Sequence, residues 1–180
     1  MVLKMEAMSK NQEVEMSKLE KNVDEVSKLA EQNYRAEVLI HQTDVFNQMQ
    51  IVLDEVEYRQ AAHDQSKLSD EEFSTYAKVI PQLKGKQFGS PEAKAIVKEL
   101  GPALQHHYAE NRHHPEHFEK GIAGMHLIDM IEMICDWKAV SVAKGNDLKT
   151  GMVKVLFPKL GITEPLATIL LNTADMLEMG

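Results

Sequence analysis

The spacing of apolar residues constrains this chain more than any other feature, because it follows the period of an α-helix. The apolar positions of a predicted helix at about 35–58 are Val38, Val45, Met49, Val52 and Val56. The 180 residues include only 6 prolines and 9 glycines, and runs of β-branched residues are few, so helix is favoured over sheet. We predict an all-α fold, a helical bundle over residues 34–180.

Residues 1–33 differ from the rest in being rich in polar residues and methionine and in having no aromatic residue. Their apolar seam has spacings of three and four and consists of Met16, Leu19, Val23, Val26 and Ala30. This rhythm is typical of a short coiled coil. We predict a helical, coiled-coil-like extension, which either lies on its own domain or forms a homo-oligomer with a second copy.

Several helix ends can be predicted from capping residues. Ser90 before Pro91 is typical of a helix start. The most apolar helix is predicted at residues 125–144 and is ended by Gly145-Asn146. Ser69, followed by three acids, predicts another helix start.

Charge and composition exclude some classes of function. The formal net charge of −8 opposes broad nucleic-acid binding. No stretch approaches the ~18 apolar residues of a membrane span, and the first residues do not resemble a signal peptide. The single cysteine, Cys135, suits a reducing compartment. We therefore expect a soluble cytoplasmic protein without membrane association.

Histidines are concentrated in one short stretch. Five of the eight lie between His106 and His117. His106 and His113 are seven residues apart, as are His107 and His114, so each pair would share a face of an unbroken helix. Converging imidazoles favour a transition-metal site. The alternative is a histidine-rich surface loop that binds metal only incidentally.

Two further segments carry residues suited to such a site. His63-Asp64 can reach one ion from the end of a helix, and Lys67 can supply positive charge for a phosphate. Asp129, Glu132 and Asp136 share one face of the predicted helix at 125–144. Acids on an apolar helix need compensating cations or donors, unless they form its solvent face.

In this order, the residues resemble the pattern of the HD superfamily of metal-dependent phosphohydrolases. His41 matches that family's first histidine, His63-Asp64 its HD pair, and Asp136 its closing aspartate, with Asp129 as the competitor. Lys67 matches the lysine of HDxGK, although Ser66 replaces the glycine. Over roughly residues 35–175 the chain is also similar to an uncharacterised family of phages and bacteria, through HDxSKL, HHYxxNRHHPEH and LIDMIEMICDWKA. This similarity implies a location in a bacterial cytosol or a phage-infected cell.

The resemblance implies one or two divalent transition metal ions, such as Mn, Fe, Co, Ni or Zn. The implied ligands are His41, His63, Asp64, His107, His114 and Asp136. Lys67 and Arg112 would bind phosphate charge, and Glu132 would be a hydrogen-bond acceptor behind the ligands or a general base. The expected substrate is a nucleotide or a related phosphate ester or anhydride. The alternative is a non-catalytic protein that sequesters a nucleotide or binds a protein partner.

Overall fold

The protein is all-α, as predicted. A computed structural model describes residues 2–87 and 89–178, with side chains from residue 14 onward, and this part of the chain contains no strand. The helices are α1 (Val2–Ala62), α2 (Phe73–Val79), α3 (Pro91–Lys98), α4 (Gly101–Glu110), α5 (Leu127–Lys144), α6 (Leu148–Gly151), α7 (Phe157–Leu160) and α8 (Leu166–Glu178). Short 3₁₀ turns lie at Gln65–Leu68, Ile80–Leu83, Pro115–His117 and Gly121–Gly124, and a π-helical turn at Met152–Leu156 joins α6 to α7.

The first helix is longer than the sequence pattern predicted. Instead of an extension followed by a helix at 35–58, α1 is one helix of 61 residues. The chain has no proline before Pro81 and no glycine before Gly85, so nothing in its backbone chemistry ends a helix earlier. The predicted boundary at residue 33 falls inside α1, and the contacts divide the chain into two compact units, Met1–Val52 and Leu53–Gly180.

The first unit exposes much of its apolar surface. The seam residues Met16, Leu19, Val23 and Val26 have 59–68% of their surface exposed. Further along α1, Phe46 and Met49 are exposed to a similar extent. No described helix is long and apolar enough to cross a membrane.

Two hydrophobic clusters lie among the described residues of the second unit. The larger joins α5, the segment from α6 to α7, and α8, and its buried members are Ile134, Leu148, Met152, Phe157, Ile162, Ala167, Leu170 and Ala174. The smaller has Tyr76 and Val79 of α2 and Leu100 and Ala103 at the start of α4 as its buried members, and Ile96 and Val97 of α3 pack against it. These clusters fix the helices that carry the polar residues described below.

Local capping sets where the helices begin and end. Ser90 accepts a hydrogen bond from the backbone amide of Ala93, which confirms the predicted start of α3. Gly145 ends α5 with φ 64°, as predicted. The segment after Ser69 departs from the prediction, because α2 begins only at Phe73.

Candidate metal centre

The centre is built around the residue at which α1 ends. Asp64 follows the helix with φ 58°, a left-handed conformation that is uncommon for a residue with a side chain. Asp and Asn tolerate it better than other non-glycine residues, and such conformations concentrate at functional sites. The turn ends α1 and places the Asp64 carboxylate between the loop histidines and α5.

One oxygen of Asp64 faces three histidines. The Asp64 Oδ1 atom lies 3.4 Å from His107 Nε2 and 3.6 Å from His113 Nε2, and His107 Nε2 lies 2.9 Å from His114 Nε2. We call these four residues the nitrogen-rich subsite. His107 and His113 are each only 2% exposed, and Asp64 Oδ1 is buried without a hydrogen-bond partner.

The other oxygen of Asp64 faces a more exposed group. His63 Nε2 lies 3.5 Å from Asp64 Oδ2 and 3.8 Å from Asp136 Oδ1. We call His63, Asp64 and Asp136 the oxygen-rich subsite. Their side chains are 22–30% exposed, so this subsite is the one open to solvent.

The distances fit coordination to a metal ion. Ligand atoms around a tetrahedral ion with bonds of about 2.1 Å stand about 3.4 Å apart. Three separations in the nitrogen-rich subsite are 2.9, 3.4 and 3.6 Å, and all of its ligand atoms lie within 4.8 Å of one another. One of these atoms is Asp64 Oδ1, the buried oxygen without a partner. A cation would satisfy that oxygen. The second unit therefore contains a buried cluster of histidine and carboxylate side chains that could hold a metal.

Two carboxylates behind the histidines orient their rings. Glu132 Oε1 lies 2.9 Å from His63 Nδ1 and 3.0 Å from His113 Nδ1. Buried Glu72 lies 3.0 Å from His107 Nδ1 with one oxygen and 2.8 Å from His106 Nδ1 with the other. A proton on His107 Nδ1 faces Glu72, which leaves the Nε2 lone pair of that ring free to bind a cation. His63, His113 and Glu132 also form a third group with metal-ligand spacing.

Arginines anchor the carboxylates of α5. Arg59 donates hydrogen bonds to Asp129 and Glu132, each at 3.0 Å. Arg112 donates two more to Asp129, whose side chain is fully buried. Asp129 also accepts a hydrogen bond from the His126 amide at the start of α5. It is therefore neutralised by two arginines and lies in neither subsite.

Burial and neighbouring charges shift the pKa values within the centre. Desolvation lowers the pKa of His114 to about 3 and also lowers the pKa of His107, so both rings are neutral, as metal binding requires. The neighbouring carboxylates of Asp136 and Glu132 raise the pKa of His63 to about 10. Burial opposes ionisation of Asp136, but its interactions with His63, His113 and His114 together outweigh burial and lower the pKa of that carboxyl.

Lys67 and Tyr76 lie beside the centre. Lys67 Nζ donates a hydrogen bond to Asp64 Oδ2 at 2.5 Å and lies 5.7 Å from the centre of the Tyr76 ring. The Tyr76 ring packs against His107, and its buried hydroxyl has no hydrogen-bond partner. The positive charge of Lys67 thus stands at the oxygen-rich subsite.

Most of the predicted ligands lie together. Five of the six meet in the two subsites, namely His63, Asp64, His107, His114 and Asp136. The sixth, His41, lies on α1 in the first unit, is exposed and belongs to neither subsite. Its role as a ligand stays a prediction. Among the predicted catalytic residues, Lys67 contacts Asp64 and Glu132 contacts two histidines. Arg112 donates hydrogen bonds to Asp129.

The histidines converge by a different route from the one that helical spacing suggested. The helix does not continue past Glu110, because Asn111 is extended, with φ −115° and ψ 107°. The chain folds back, and Asn111 holds the fold by donating to the Ser66 hydroxyl and to the His107 carbonyl. His107 and His114 meet across this loop, whereas His106 pairs with Glu72 and His117 with the Tyr108 carbonyl.

Three participating residues were not identified from the sequence. His113 stood beside His114 and was not selected as a ligand, although its Nε2 faces Asp64. Glu72 was seen only as an acid near a helix start. Arg59 carried no motif, and its contacts with Asp129 and Glu132 span 70 and 73 residues. Only the HH dipeptide gave a usable signal, since both of its rings are ligand candidates.

The fold and the site define an all-α protein with a buried histidine–carboxylate cluster of metal-binding geometry. The chain belongs to a family of unknown function, DUF5662, whose profile matches residues 30–176. No curated protein and no solved structure matches the chain. The family match covers α1 from residue 30 and every residue of the two subsites.

Proposed function

We propose that this protein is a metal-dependent phosphohydrolase that acts on a nucleotide or a related phosphate ester or anhydride. The observation that carries the proposal is the shared carboxylate, since Asp64 presents one oxygen to each of two ligand groups. Histidine nitrogens with carboxylate oxygens suit Mn²⁺, Fe²⁺, Co²⁺, Ni²⁺ or Zn²⁺. A bound divalent ion would lower the pKa of water and polarise a phosphoryl oxygen.

The substrate side of the centre is the oxygen-rich subsite. Its three side chains are 22–30% exposed, whereas His107 and His113 are closed to solvent. Lys67 is 37% exposed at the same side. Its ammonium group can bind a phosphate oxygen there by a charge-assisted hydrogen bond.

The contacts separate the two roles considered for Glu132. Burial opposes ionisation of Glu132, but its contacts with His113, His63 and Arg59 outweigh burial and lower the pKa of the carboxyl. A carboxylate with a lowered pKa is a poor proton acceptor near neutral pH. We therefore assign Glu132 to orienting His63 and His113.

For Arg112 we propose a different part from the phosphate-binding role considered for it. Its guanidinium donates two hydrogen bonds to Asp129, and its carbon lies 4.9 Å from the centre of the Phe118 ring. We assign Arg112 to anchoring α5 and leave Lys67 as the cation for substrate.

Turnover of a nucleotide panel with added Mn²⁺, combined with metal analysis of the same sample, tests the proposal. We expect release of phosphate or nucleoside from at least one member, and loss of turnover and bound metal in Asp64→Asn. Asp44→Asn is the matched control, because it removes an exposed carboxylate of the first unit. Fully metal-loaded protein that cleaves no nucleotide, phosphomonoester or anhydride would refute the proposed activity.

A non-catalytic binding role is the second candidate, and the exposed apolar residues of α1 favour it. Leu19, Val23 and Val26 are 63–68% exposed at a spacing suited to another helix. In that case α1 would form a homo-oligomer or bind a protein partner, and the metal would stabilise the second unit. Tight nucleotide binding without turnover would support this role over hydrolysis.

A further inference from the structure

We propose that the two subsites bind two ions in a fixed order, the nitrogen-rich subsite first, and that Lys67 controls the second by competing for Asp64 Oδ2. The inference rests on the metal-binding part of the proposed function and not on hydrolysis. Its ligands are divalent transition metal ions.

The nitrogen-rich subsite is ready to bind. It offers three imidazole nitrogens and a carboxylate oxygen, a complete set for a four-coordinate ion. Asp64 Oδ1 has no competing partner there. Glu72 lies 3.0 Å from His107 Nδ1, and Glu132 lies 3.0 Å from His113 Nδ1. Because these contacts already position both rings, little side-chain conformational entropy is lost when an ion binds.

The oxygen-rich subsite has a competitor in place. Lys67 Nζ already donates to Asp64 Oδ2 at 2.5 Å. An ion that binds this oxygen must displace the ammonium group. The subsite offers only three side chains, and they are more exposed than those of the nitrogen-rich subsite, so it leaves positions open for water or substrate. Binding here is therefore weaker and comes second.

The displaced ammonium group of Lys67 can bind an anionic ligand. Lys67 is on the 3₁₀ turn that follows Asp64, with Tyr76 beside it. A lysine released from Asp64 keeps its charge at the open side of the centre, where it can meet a phosphate oxygen. One residue thus restrains the second ion and, after displacement, becomes available to an anionic ligand.

Titration of metal-free protein with Co²⁺, monitored by the visible absorption of the ion, tests the order in which the two subsites bind metal. We expect two equivalents, the first tighter and with the strong absorption of a four-coordinate ion. Lys67→Met should tighten the second equivalent by about tenfold or more, because a charge within a few ångströms of a divalent ion is removed. The first equivalent should change less. Lys67→Arg keeps the charge and should keep the second equivalent weak.

Lys149→Met is the matched control, because Lys149 pairs with Asp175 at the same 2.5 Å in the same unit, and Asp175 belongs to neither subsite. It should leave both equivalents unchanged. Asp136→Asn should weaken only the second equivalent, and His114→Ala should weaken the first.

Three results would overturn the inference: a single equivalent in the unaltered protein, loss of the tighter equivalent in Asp136→Asn, or equal tightening by Lys67→Met and Lys149→Met. Failure of the proposed function looks different. Two ions bound in the expected order, without cleavage of any phosphate compound, would refute hydrolysis and leave this inference standing.

Discussion

Glu72→Gln tests whether buried carboxylates prepare the histidines for metal. Glu72 is fully buried and contacts His107 Nδ1 at 3.0 Å and His106 Nδ1 at 2.8 Å. Glutamine keeps the shape of the side chain but has one acceptor oxygen instead of two, and its amide group donates. If the amide faces His107, that ring must accept at Nδ1 and carry its proton on Nε2, where the metal should bind.

The expected size of the effect follows from these contacts. Losing a carboxylate behind a histidine ligand typically weakens metal binding about 10- to 100-fold, which is about 1.4–2.7 kcal/mol. The metal-free protein should also lose stability, because one of two hydrogen bonds to a charged group disappears, at about 1.5–3 kcal/mol. The two losses are separate quantities and need separate measurements.

Competition with a chromophoric chelator gives the Zn²⁺ affinity, and thermal unfolding in excess chelator gives the metal-free stability. Glu92→Gln is the matched control, because Glu92 is exposed and pairs only with Lys86 at 2.8 Å among the described contacts. An unchanged Zn²⁺ affinity in Glu72→Gln would show that Glu72 serves only the packing of α2 and α4.

Three further predictions use other parts of the molecule. Elemental analysis should show that His63→Ala or Asp64→Ala lowers the amount of bound metal far more than Glu20→Ala does. Full metal occupancy in both His63→Ala and Asp64→Ala would show that these residues are not ligands. The pKa of His63 is raised from 6.5 to about 10, mainly by Asp136 and Glu132, so its charged form stabilises the metal-free protein below pH 6.5. This contribution to stability is about 1–2 kcal/mol after allowance for solvent screening, and it should be lost as the pH rises towards 10. Thermal unfolding at a series of pH values measures it, and His63→Gln should lose less stability over the same pH range. Removing residues 1–33 should leave metal binding intact and lower the number of chains per particle, calculated from the mass measured by light scattering. An unchanged number of chains would exclude self-association through that segment.

The helical fold was predictable because its signals are local. Spacings of three and four mark each amphipathic segment, and Ser90 and Gly145 mark ends with their own side-chain and backbone chemistry. The unbroken length of α1 follows from the lack of proline and glycine before residue 81, although the change of composition after residue 33 suggested a boundary. A compositional change alone does not end a helix.

The site was only partly predictable, because its geometry depends on contacts between distant segments. The HD pair and the histidine stretch identified most of the candidate ligands, since adjacent or clustered candidates leave a pattern in the sequence. The fold-back after Asn111 depends on its hydrogen bond to Ser66, 45 residues earlier. That contact turns His113 inward together with His114, and helical spacing alone gave no indication of it.

The three acids of α5 show how neighbours decide between equivalent candidates. Their spacing puts Asp129, Glu132 and Asp136 on one face, so spacing alone could not distinguish their roles. Arg59 and Arg112 provide permanent charges for Asp129, and Arg59 provides one for Glu132. Asp136 has a histidine as its closest described partner, and histidine gives up its proton when it binds a metal. The compensation of negative charge by arginine therefore falls along α5 towards Asp136, which leaves Asp136 as the carboxylate of this helix best placed to bind a cation.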